Sequence, residues 1–191
     1  MFQKNYPLFA AVDRAANGKF SYFFTILNKI ILAFNFVIKT VVPRHRGRII
    51  KLEYTPDDSK VDTTLFLVGK GITYDTGGAD VKAGGHMAGM HRDKCGAAFV
   101  AGFFKTLSLL KPKGLKVYGT LCMARNSIGE DCYVADEIIT ARSGKRVRIG
   151  NTDAEGRMVM ADLLCEAKEK ALNEVNPHLF TIATLTGHVI R

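Results

Sequence analysis

From Arg48 onward, short strand-like apolar runs alternate with segments of helical period. The runs Ile49 to Tyr54 and Thr64 to Val68 are followed by a long glycine-rich loop and an apolar helical stretch, Gly96 to Leu110. The sequence Lys111-Pro112-Lys113-Gly114 ends that helix, because proline cannot continue it and glycine takes the backbone that follows one. Leu115 to Met123 and Val147 to Gly150 read as further strands, Arg157 to Asn173 as an amphipathic helix, and Leu179 to Leu185 as a buried strand. Tyr6 to Asn17 is helix-like. This rhythm predicts an α/β fold with a central mixed sheet flanked by helices. It also places the polar, glycine-rich segments at strand ends, where open α/β sheets bind ligands.

The segment Phe20 to Val42 breaks the rhythm. It is an almost continuous apolar run of about membrane-spanning length, interrupted by Asn28, Lys29 and Asn35. A membrane helix is one reading, although a lysine and an asparagine near the middle are costly in hydrocarbon. A buried helix is another, and a segment foreign to the fold is a third.

The chain has 191 residues, 47% of them hydrophobic, enough for one substantial core. Its net charge of +9 is uneven: residues 1 to 50 hold eight lysines and arginines against Asp13 alone. Arg44, Arg46 and Arg48 with His45 could touch phosphate or form a solvated turn before a strand. Four scattered cysteines, Cys95, Cys122, Cys132 and Cys165, form no C-x-x-C pair and predict reduced, mostly buried thiols. With no cleavable leader at the start, the expected location is cytoplasmic.

Two clusters carry chemistry. The first is Val68-Gly69-Lys70-Gly71-Ile72-Thr73-Tyr74-Asp75-Thr76-Gly77-Gly78, followed by Lys82 and Asp93. Neither G-x-x-x-x-G-K-[ST] nor a helix-opening G-x-G-x-x-G is present, which weighs against nucleotide binding. The second is Asn151-Thr152-Asp153-Ala154-Glu155-Gly156-Arg157. Carboxylates this close repel unless a cation lies between them, and a divalent metal pair with Asp75 and Asp93 meets that need. A helix cap, with Asp153 capping and Glu155 complementing the dipole, is the plainer alternative.

These motifs, with R-D before a small-residue helix and Ala183-Thr184-Leu185-Thr186-Gly187, resemble the leucine aminopeptidase (cytosol aminopeptidase) family. The wording I-T-Y-D-T-G-G-A-D-V-K-A-G-G is similar to its animal branch. The resemblance runs over residues 6–17 and 43–191, which divides the chain into a partial start (1–17), an apolar insertion (18–42) and a C-terminally truncated catalytic domain (43–191). It implies a metalloaminopeptidase that uses two divalent ions, Zn or Mn, and a bridging water. Metal ligands by resemblance are Lys70, which must bind as a neutral amine, Asp75, Asp93, Asp153 and Glu155. Lys82 is implied to polarise the scissile carbonyl and Arg157 to hold a bicarbonate ion. Met90, Thr184, Leu185 and Gly187 are implied to bind substrate. His86, His91 and His188 are not expected to ligate metal. The expected partners are peptides with a free N-terminus and further copies in a homohexamer, with neither nucleic acid nor membrane expected. A catalytically silent homologue that binds or assembles is the alternative.

Overall fold

The computed structural model describes residues 2–14, 19–27, 30–38, 45–57 and 60–187, with backbone alone for 2, 3, 19–27 and 30–38. Arg44, His188 and parts of the apolar segment at residues 18, 28–29 and 39–42 lie outside them.

Eight strands and four helices make up the described chain: α1 (Phe2–Asn5), α2 (Pro7–Asp13), β1 (Lys19–Leu27), β2 (Ile30–Ile38), β3 (Arg48–Tyr54), β4 (Thr63–Asp75), α3 (Cys95–Leu110), β5 (Leu115–Asn126), β6 (Ile138–Thr140), β7 (Arg146–Arg148), α4 (Glu155–Ala171) and β8 (Pro177–Ile182). Six strands form a mixed sheet in the order β1-β2-β3-β5-β4-β8, and β6 pairs with β7 separately. The expected α/β architecture is present. β4 lies parallel to β5 and β8, while β1, β2, β3 and β5 pair antiparallel in turn.

Helices cover both faces. On one, α2 and α4 pack Phe9, Val12, Met158, Val159 and Leu163 against Ile49, Phe66, Val68 and Ile72. On the other, α3 packs Ala97, Val100, Phe104 and Leu107 against Leu52, Leu67, Val117 and Leu121. Burial on two faces explains why β4 reads as one apolar run.

Four local expectations are corrected. The apolar segment read as a membrane or buried helix forms two nine-residue strands, Lys19–Leu27 and Ile30–Ile38, on the β3 edge. No helix among the described residues is long and apolar enough to cross a membrane. The glycine-rich stretch expected as loop after Val68 remains strand to Asp75, since Gly69 and Gly71 let the neighbouring backbone and Met123 approach. The strand at Leu179 to Leu185 is instead Pro177–Ile182, a sheet edge with mostly exposed side chains. Of the four free cysteines, Cys122 is buried, Cys95 is exposed and the other two are half-buried.

Candidate metal centre

The parallel strands β4 and β5 end together, with Asp75 opposite Asn126. Beyond their carboxyl ends lie the short 3-10 turn Met90–Arg92 leading to Asp93, and the turn Thr152–Ala154 leading into α4. The Asp93 carbonyl accepts the Ile72 N–H at 3.0 Å, which ties this segment to β4. Glu155 opens α4, where the helix dipole favours a carboxylate.

These elements converge on one cluster. Carboxylate oxygens of Asp75, Asp93 and Glu155 all lie within 4.8 Å of one another. Lys70 Nζ is 2.7 Å from Asp93 Oδ2 and 2.9 Å from Glu155 Oε1, and it donates to the Thr184 carbonyl at 2.9 Å. Lys82 Nζ is 3.0 Å from Asp75 Oδ2 and 2.5 Å from Asp153 Oδ1. Asp153 thus joins through Lys82. Thr184 Oγ1 donates to Asp93 Oδ1 at 2.8 Å. Leu185 approaches Lys70 over Gly156, where an added Cβ would meet the side chains of both within 2.8 Å.

The electrostatics follow from burial. Burial pushes the Glu155 carboxyl up to about 7, with the Lys70 ammonium opposing the rise. For Lys70 burial acts downward, as expected, but the Glu155 and Asp93 carboxylates together outweigh it and hold the pKa above the ordinary lysine value. Lys82 behaves alike: burial lowers its pKa, while Asp153 and Asp75 raise it further. A neutral Lys70 therefore requires a competing cation among the same carboxylates.

The donor set fits a divalent cation. It is oxygen-rich and largely buried, and the solvent-shielded Asp93 Oδ2 and Asp153 Oδ1 face only the ammonium groups of Lys70 and Lys82, positions a metal ion could take over.

The other anticipated residues stand apart. Arg157 is exposed on the first turn of α4, and its side chain makes no hydrogen bond or ion pair among the described residues. Met90 is half-buried three residues before Asp93, and Gly187 is exposed beyond β8. His86 and His91 are exposed and outside the carboxylate cluster.

Sequence reasoning missed Asn126. It is fully buried, and its Nδ2 donates to Asp75 Oδ1 at 2.8 Å and to Glu155 Oε2 at 3.3 Å. The available signal was its place at the polar end of an apolar strand, facing the ligand crevice. Tyr133, whose buried hydroxyl donates to the Thr152 carbonyl at 2.8 Å, had no local signal.

The model of the cytosol aminopeptidase family's catalytic domain matches residues 29–191. The chain belongs to that family. A Caenorhabditis elegans protein named as an aminopeptidase is 53% identical over 187 residues, which cover 98% of this chain and 31% of the relative. The leucyl aminopeptidase of Trypanosoma brucei, solved with actinonin, superposes with a TM-score of 0.75 at 33% identity, over 97% of this chain and 30% of that one. The bottromycin maturation enzyme BotP, solved with Mn, gives 0.72 at 28% identity, over 98% and 34%. The chain thus spans about a third of the length of these relatives.

Proposed function

We propose that this chain carries the two-metal catalytic site of an aminopeptidase that hydrolyses the N-terminal peptide bond of peptides. The observation that carries this reading is the convergence of four carboxylates and two lysines at the ends of β4 and β5, with the solvent-shielded oxygens Asp93 Oδ2 and Asp153 Oδ1 facing only the two lysine ammonium groups. Asp75, Asp93, Asp153, Glu155 and Lys70 would hold two divalent ions, Zn or Mn. Bound there, such ions make water a usable nucleophile near neutral pH and withdraw charge from a carbonyl oxygen. BotP, solved with Mn, supports that choice of ion.

The remaining roles belong to the chain's own groups. The Lys82 ammonium, held between Asp75 and Asp153, can donate to the scissile carbonyl oxygen as negative charge develops on it. Asn126 fixes the orientation of Asp75 and Glu155 through its amide. Thr184 and Leu185, against Lys70 and Gly156, form one wall of the substrate cleft, with Met90 and Gly187 further along it. Arg157, exposed on the first turn of α4, would hold a bicarbonate, which would supply general-base chemistry there.

A free N-terminal amine can ligate a divalent ion held here, whereas an acylated nitrogen is a poor ligand, so a peptide with a free N-terminus suits the site. A cytoplasmic place of action and a homohexameric assembly accompany this reading; the free cysteines agree with the first. Assay of the chain with Zn²⁺ and Mn²⁺ on unblocked and N-acetylated aminoacyl substrates tests it. Release from the unblocked substrate alone is expected, whereas equal release from both would overturn exopeptidase action.

A further inference from the structure

The loop carrying Lys82 is closed at its base, where the Lys82 N–H donates to the Thr76 carbonyl at 2.9 Å. Its far side is joined to the turn that carries Asp153. There the Thr152 N–H donates to Asp80 Oδ2 at 2.6 Å, and the Asp80 N–H donates to Thr152 Oγ1 at 2.8 Å. The Thr152 hydroxyl in turn donates to the Gly77 carbonyl at 2.7 Å. The Thr152 carbonyl accepts from Tyr133 and, at 3.1 Å, from Asn126. Every polar group of this fully buried threonine is therefore engaged, which is the condition for burying it at all. Asp80 itself is exposed, so its carboxylate is spent on the clasp without being needed in the core.

We propose that Asp80 is a positioning residue for Lys82. Its reciprocal clasp with Thr152 fixes the Lys82 loop against the turn bearing Asp153 and so sets the ammonium between Asp75 and Asp153. Resting on the role given to Lys82 above, this adds a residue that touches neither metal nor substrate. The Lys82–Thr76 bond and the Thr152–Gly77 bond hold the two ends of the loop, and the clasp fixes the segment between them, residues 78–81, through a charge-assisted hydrogen bond.

The test is lysine labelling of the full 191-residue chain with an acetylating succinimidyl ester, read peptide by peptide in a mass spectrometer. Asp80→Ala should label Lys82, whose side chain is 15% exposed, roughly tenfold faster, the worth of one such bond. Asp80→Asn, which keeps an oxygen for the Thr152 N–H, should restore slow labelling. Lys70, deeper in the site, is the internal reference and should not change. Unchanged Lys82 labelling in Asp80→Ala, failure of Asp80→Asn to restore it, or equal acceleration at Lys70 would overturn the proposal. Mn²⁺ titration of the unsubstituted chain separates the two levels. Absent uptake counts against the metal reading while the labelling still decides the clasp, and uptake with unchanged labelling overturns the clasp alone.

Discussion

Lys70 Nζ lies 2.9 Å from Glu155 Oε1, joining the middle of β4 to the first residue of α4 with both side chains almost fully buried. Removing the cation alone leaves Glu155 and Asp93 facing each other in the interior. Lys70→Met should therefore lower the urea-denaturation stability by about 3 to 5 kcal/mol. The double variant Lys70→Met, Glu155→Gln should recover part of that loss, since it removes one of the stranded charges. A double variant no more stable than the single one would contradict this account of the pair.

Gly96 tests the close approach of helix and sheet. A Cβ there would sit 1.9 Å from the Ile182 carbonyl oxygen and 2.8 Å from the Lys70 backbone nitrogen. Backbone cannot rotate away as a side chain can. Gly96→Ala should cost about 2 to 3 kcal/mol in spite of alanine's better helix propensity, measured by thermal or urea unfolding.

Asp13 supplies a pH dependence away from the site. It is buried at the end of α2 and accepts the Gly47 N–H at 2.8 Å, and burial pushes its carboxyl from 3.8 up to about 8, the Gly47 bond opposing. The native form therefore keeps a proton that the unfolded chain releases. Its contribution to stability is full below pH 4 and is lost as pH rises towards 8, at up to about 1.4 kcal/mol per pH unit. Asp13→Asn keeps an acceptor for Gly47 and should flatten that fall, so the variant gains on the parent at pH 8 and not at pH 4. Urea midpoints at the two pH values check it.

The β1–β2 hairpin lies on the β3 edge, whereas the carboxylate cluster sits beyond β4 and β5. Replacing residues 19–38 by a short turn should leave Mn²⁺ binding unchanged. Weakened binding would mean that the hairpin supports the site through the sheet.

The convergence of the cluster was legible because most of its residues lie in two short motifs and the rest follow the first closely in sequence. Lys70, Asp75, Asp93, Asp153, Glu155 and Lys82 all meet. What holds them was not legible. Asn126 and Thr152 act through the register of β4 on β5 and the return of the Lys82 loop; the polar end of a strand and the motif mark the residues, but not which partners they hold. The apolar run after Phe20 was misjudged for another reason. Its length favoured a helix, yet Asn28-Lys29 divides it into two nine-residue runs, the size of strands. The edge strand β8 was expected to be buried because its apolar residues match a core strand in composition, and composition does not reveal a strand's place in the sheet.

The most direct measurement is a Mn²⁺ titration of the chain followed by electron paramagnetic resonance, alongside the variants Asp75→Asn and Glu155→Gln. The account predicts two ions bound per chain and at least about tenfold weaker binding in each variant. A chain that takes up no Mn²⁺, or variants that bind it as tightly as the parent, would contradict it.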